Sequence, residues 1–117
     1  MGTWGTGLYQ DDVACDVKES IKDKLTYGNE NGEKYTKEEL IKSIFEEYKD
    51  CMQFEDDRDI LILVLADMLW QNGMLTDEIK KEAVKIIEQK SDLERWKEDK
   101  KLYQKREKVL ESLKEKI

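Results

Sequence analysis

Apolar residues in this chain recur at helical spacing in five separate stretches, with turn-forming residues between them. Val13, Val17, Ile21 and Leu25 follow one another at steps of four, the stripe of an amphipathic helix over about Asp12 to Leu25. A polar connection with two glycines, Tyr27 to Glu33, separates it from a second helix. Thr36 followed by Glu39 reads as a capping box opening that helix. Leu40, Ile41, Ile44, Phe45 and Tyr48 form its buried face, and it should fade near Cys51 and Met52. From Ile60 to Trp70 the chain is apolar on every side except at Asp67. A helix without a polar face belongs in the middle of a domain. The carboxylates of Glu55, Asp56 and Asp57 precede it, where the positive end of the helix dipole favours them. Asn72-Gly73 should end it with a left-handed cap.

Thr76 caps a fourth helix that buries Ile79, Ala83, Ile86 and Ile87. Ser91 and Glu94 form a second capping box, from which a last helix can run to Ile117. Trp96, Tyr103, Leu110 and Ile117 repeat every seven residues along it, joined by Leu93, Leu102, Val109 and Leu113. Three repeats are marginal for a coiled coil, so this seam is expected to pack on its own domain, favouring a monomer over a dimer. The chain has no proline, which would cost about 3 kcal/mol inside a helix. The pattern therefore predicts one all-α domain over residues 1–117, a compact bundle of about five helices around the Ile60–Trp70 helix.

Composition changes this picture little. Charged residues are 42% of the chain and the hydrophobic class 38%, a balance that raises disorder. The regular clustering of the apolar positions argues against it. No apolar run approaches the ~20 residues of a membrane span, and the first residues lack a secretory signal. A cytoplasmic protein is expected. Met1-Gly2 and Thr6 fit the myristoylation pattern, but Asp11 and Asp12 would repel an anionic membrane, so no membrane partner is expected. Cys15 and Cys51 are expected to remain unbridged thiols in that compartment.

Charge is more informative. The net charge is −7. Residues 1–93 hold 22 acids and 12 bases, whereas residues 94–117 hold 9 bases and 6 acids. An acidic body repels phosphate, which disfavours direct nucleic-acid binding, and its field suits a basic protein partner. Asp12, Asp16, Glu19 and Asp23 form an acidic row on the first helix, where like charges repel. Lys97, Lys101, Lys105 and Lys108 form a basic row on the last. The two rows are expected to meet within the molecule; a row left open would instead receive a basic partner. Asp16, Glu19, Asp23 and the turn Glu55, Asp56, Asp57 and Asp59 are the candidate partner-binding carboxylates.

There is no histidine, which removes the usual general base and the commonest metal ligand. Asp12 and Asp16, one helical turn apart, could share a hard cation such as Mg²⁺. Ordinary capping explains them as well, so no metal, cofactor or catalytic residue is expected. Gly2, Gly5 and Gly7 lack the following lysine of a phosphate loop; tight backbone turns that let Trp4 enter the core account for them better. Asp67 is the one polar residue in the apolar helix, and a buried carboxylate needs donors. The Thr3–Gly7 amides and the indole N–H of Trp4 or Trp96 are the candidates.

The start of the chain carries a further signal. Trp4, Gly5 and Gly7, followed by Asp12, Ala14 and Asp16, resemble the W-G-x-G…D-x-A-x-D opening of a family of small bacterial proteins of unknown function. Members of that family occur among immunity proteins of polymorphic-toxin systems. The likeness extends loosely to Ala66-Asp67, Trp70 and Leu93 to Trp96. It implies a structural role for Trp4, Gly5, Gly7, Asp67, Trp70 and Trp96, with the glycine-rich start folded over the central helix. It also implies a stoichiometric inhibitor of a toxin domain. Two other functions fit the residues: a phosphate-mimicking inhibitor of a nucleic-acid-handling protein, and a carboxylate–metal enzyme using Asp12 and Asp16.

Overall fold

The structure, a computed structural model, describes residues 12–28, 31–89 and 98–117, apart from the side chains of Asp12 and Asp56. Among the described residues five α-helices appear in the expected order: α1 (Asp12–Tyr27), α2 (Lys37–Glu47), α3 (Glu55–Gln71), α4 (Asp77–Gln89) and α5 (Lys100–Lys116). A 3-10 turn, Cys51–Gln53, links α2 to α3. The described residues contain no strand, and none of their helices is long and apolar enough to cross a membrane.

The central helix is α3. Every residue from Asp59 to Leu69 is buried, with α1, α4 and the 3-10 turn all packed on α3. Ala14, Val17 and Ile21 of α1 join Leu40 and Ile44 of α2 in one core with α3. Ile79, Ala83, Ile86 and Ile87 of α4 complete that core together with Leu110 and Leu113 of α5. Replacing one of the large side chains on α3 by alanine would cost roughly 2–5 kcal/mol, depending on how far the cavity collapses.

Helix ends follow the local chemistry. Thr36 Oγ1 accepts from the Glu39 amide at 3.2 Å while the Thr36 amide donates to Glu39 Oε1 at 3.3 Å, which is the expected box. Thr76 Oγ1 accepts from the Ile79 amide at the start of α4. After α3, Gly73 adopts φ +68. The Met74 amide then reaches back to the Leu69 carbonyl at 2.8 Å, and that of Gly73 to Trp70 at 3.2 Å. This pair of bonds is a Schellman stop, which needs a residue free to be left-handed. At Gly28, φ +77, a Cβ would strike the Glu33 carbonyl, so only glycine fits that return.

Two expectations need correction. The acids Glu55 to Asp57 lie within the first turn of α3 rather than before it, where the dipole still favours them. The last helix also starts later than Ser91. Asp99 is extended (φ −123, ψ 106) and its carboxylate accepts from the amides of Lys101 and Leu102 at 3.0 and 3.2 Å. An aspartate bonded across the free amides of a first turn is a strong N-cap, so α5 begins at Lys100. Ser91, Glu94, Trp96 and Lys97 lie outside the described residues, as do Trp4, Gly5 and Gly7.

The seam of α5 is turned inward. Leu110 and Leu113 are buried, and Tyr103 and Ile117 pack against the core. Arg106, only 4% exposed, sits in the same stripe. Two lysines fasten the end of the helix: Lys114 pairs with Glu88 of α4 at 3.3 Å, and Lys116 reaches Asp67 of α3 at 3.0 Å. Asp67 is 2% exposed and also accepts from Gln71 Nε2 at 2.8 Å. The expectation of a buried, bonded carboxylate holds, with Gln71 and Lys116 as donors. The Lys116 ammonium lies 5.1 Å from the centre of the Trp70 ring as well, a cation–π geometry. Cys15 and Cys51 are not bridged.

Removing the Asp67 carboxylate should therefore destabilise the fold. Asp67→Ala is expected to cost about 2–3 kcal/mol, in the range for a broken charged hydrogen-bond set. Lys116→Met should cost about 1 kcal/mol, since its ammonium is partly solvated. At roughly 4–8 °C per kcal/mol for a domain of this size, thermal melts resolve both. An unchanged Asp67→Ala melt would refute the role given to this contact.

Candidate functional site

The acidic row of α1 faces solvent because the opposite side of the helix is spent on the core. Ala14, Val17 and Ile21 are fully buried, which leaves Asp16, Glu19 and Asp23 exposed. Asp12 belongs to the same helix, but its side chain is outside the described set. Among the described residues the expected meeting with the basic row of α5 does not occur; Lys97 lies outside them. Among the described residues no ion pair joins Asp16, Glu19 or Asp23 to Lys101, Lys105 or Lys108, and all three lysines are exposed. The reason is topological: α5 packs on α4, while α1 packs on α3 and α2.

Among the described residues, the ion-paired bases near the row come from α1 itself. Lys22 approaches Glu19 at 4.0 Å between two exposed side chains, a pair worth little in water. Lys24 pairs with Glu47 of α2 at 3.1 Å and stands 5.9 Å from the Tyr35 ring centre. Ser20 donates its hydroxyl to the same Glu47 at 2.7 Å. Asp16, Ser20, Asp23, Lys24, Glu47 and Tyr48 thus line an open, acidic hollow between α1 and α2. Burial, followed by the charges of Glu47 and Asp16, pushes the Tyr48 phenol up to about 12 against a smaller opposing effect of its Ser20 hydrogen bond. Tyr48 therefore stays a neutral hydroxyl beside these carboxylates.

At the start of α3 the expected acidic surface is divided. Glu55 is exposed and Asp57 half-buried, whereas Asp59 is only 1% exposed. Asp59 is thus nearly covered, unlike Glu55 and Asp57. One turn past Glu55, α3 has already entered the core, and the side of the helix that carries Asp59 is covered. The Asp56 side chain lies outside the described residues. Trp70 is 41% exposed, because α3 emerges from the core at its last turn.

A second surface has no counterpart in the sequence reading. Two hollows of about 490 and 480 Å³ lie between α2, the 3-10 turn, α3 and α4. They share Phe45 and Glu78 and so form one groove. Ile41, Phe45, Met52, Ile62, Ile79 and Ile86 supply its apolar lining, and Asp59 reaches it from α3. Ile41, Phe45 and Met52 look like ordinary members of an apolar stripe, yet each is only half-buried. Phe54, between Met52 and Glu55, is 65% exposed. A large apolar residue at the N-cap of α3, with no side-chain cap bond, was the available signal.

No group of three or more cysteines, aspartates or glutamates suited to a metal ion is assembled among the described residues. The two surfaces present exposed carboxylates with hydroxyls on one side, and an apolar groove with charged edges on another. No family model, curated protein or solved structure matches this chain.

Two outcomes are expected. Asp59→Lys, which places a cation in a covered position, should cost several kcal/mol and abolish a cooperative melt. Glu55→Lys should shift stability by no more than about 1 kcal/mol through the dipole. Equal effects would contradict the division of this cluster. For Tyr48, a raised folded value means that its contribution to stability is complete below pH 10 and is lost as pH rises towards 12. Stability should fall more steeply over that window in the wild type than in Tyr48→Phe, as measured by denaturant titration.

Proposed function

We propose that this chain is a non-catalytic acidic binding protein, an immunity protein that occludes the basic surface of a cognate bacterial toxin in the cytoplasm. The observation that carries the reading is the open acidic row of α1. Asp16, Glu19 and Asp23 remain exposed although the chain has a basic row of its own, held elsewhere on α5. Mutual repulsion along one helix is unfavourable in the free protein, and a basic partner relieves it. Glu47, Glu55 and Asp57 extend the same character. The net charge of −7 and the resemblance of Trp4, Gly5, Gly7, Asp12, Ala14 and Asp16 to the immunity-associated family support the same reading.

The mechanism is steric and electrostatic. Complementary fields act over about a Debye length, ~8 Å at physiological salt, and speed encounter. Packed apolar and aromatic contacts then hold the complex. No group is transferred, and one chain neutralises one toxin.

The test is binding to the toxin-domain product of a neighbouring gene. Association should slow steeply with salt while dissociation changes less. Asp16→Lys combined with Asp23→Lys should lower the on-rate by roughly tenfold or more without lowering Tm, since both side chains are solvated. Salt-independent association, or no binding to any neighbouring product, would overturn the reading. Competition by duplex DNA or RNA would mark a phosphate mimic instead. A rise in Tm with magnesium or manganese would favour the enzyme built on Asp12 and Asp16.

A further inference from the structure

We infer that the groove between α2 and α4 receives one amphipathic helix with basic flanks, contributed by the protein partner; the inference rests on the reading of this chain as a binding protein. Three features select this occupant. The first is the shape of the groove. Its two hollows adjoin at Phe45 and Glu78, and their apolar lining comes from Ile41 and Phe45 of α2, Met52 of the 3-10 turn, Ile62 of α3 and Ile79 and Ile86 of α4. Along α4, Ile79 and Ile86 lie seven residues apart, about 10 Å at 1.5 Å per residue. Anchors at i, i+3 or i+4 and i+7 of a docked helix span the same distance.

The second feature is the kind of contact available. The described residues contain no strand, so no sheet edge is presented to which an extended peptide could add its backbone hydrogen bonds. The groove walls are mainly helices, whose interior main-chain groups are hydrogen-bonded within the helix. Affinity must come from side chains, which favours a ligand that brings its own satisfied backbone, namely a helix.

The third is charge. The polar lining includes Glu38, Glu46, Glu55, Asp77, Glu78 and Glu82 against Lys42, Arg58, Lys81 and Lys85. The excess of carboxylates selects lysine and arginine on the flanks of the incoming helix, and the interspersed bases set its register by rejecting misplaced cations. The half-buried Ile41, Phe45 and Met52 are the surfaces its apolar stripe would finish covering.

The test uses the full chain and a synthetic Leu/Lys amphipathic helix of about 14 residues, roughly four turns. A Leu/Glu counterpart of the same pattern is the control. Amide chemical shifts should move at residues 38–46 and 77–86 with the basic peptide and stay unmoved with the acidic one. Phe45→Ala should weaken binding by roughly tenfold or more, as expected for an aromatic anchor. Glu78→Lys together with Glu82→Lys, both exposed, should weaken it too, and these do not depend on the core. Shift changes centred on α1, equal binding of the acidic peptide, or no binding at all would overturn the inference. Self-association of the free chain through Phe45, seen by sedimentation, would also overturn it. The α1 reversals that test toxin binding leave the groove intact, so failure of the toxin reading and failure of this one are separable.

Discussion

Burial of α3 on all sides is the constraint on which the other elements depend. From Ile60 to Leu69 its only charged residue is Asp67, and water would have to cover any face left open. Neighbours must therefore come from more than one direction, and α1 and α4 supply two of them. Each of those helices has one apolar side, so packing on α3 uses it up. The polar side that remains becomes surface. The exposed row of Asp16, Glu19 and Asp23 is thus a consequence of the same packing that buries Val17 and Ile21.

Asp67 turns this constraint into a positional device. Its carboxylate lies within the apolar helix, where desolvation without donors is costly. Gln71 and Lys116 meet it. Lys116 lies 49 residues away, so the carboxylate draws the end of α5 back to α3. The ammonium also covers part of Trp70, which would otherwise be more open. Charge pairing here orients an element that the core alone holds less firmly, since α5 packs mainly on α4.

The separation of charge has a functional side. Had α5 run alongside α1, its lysines would have neutralised the acidic row and left a bland surface. Because α5 is anchored by Lys114 to α4 and by Lys116 to α3, the two rows stay apart. The molecule then carries an acidic face and a groove between α2 and α4 that are both available for recognition. Both surfaces suit the partner proposed above, a basic protein that contributes an apolar helix.

Local chemistry was sufficient for much of this. The capping box of Thr36 and Glu39, the stop at Gly73, the buried face of α4 and the enclosure of α3 all follow from residues a few positions apart, and the sequence alone determined them. The late start of α5 was also readable in principle, because Asp99 caps it directly, although Ser91 and Glu94 offered a competing local signal. Tertiary structure alone decided the rest. Asp59 and Asp57 are two residues apart, yet one is covered and the other partly solvated, since exposure depends on which neighbour reaches that side of α3. The donor from Lys116, the separation of Asp16, Glu19 and Asp23 from Lys101, Lys105 and Lys108 and the groove at Phe45 likewise depend on where helices distant in sequence come to lie. Spacing reveals which residues share a face of one helix; it carries no information about what stands opposite that face.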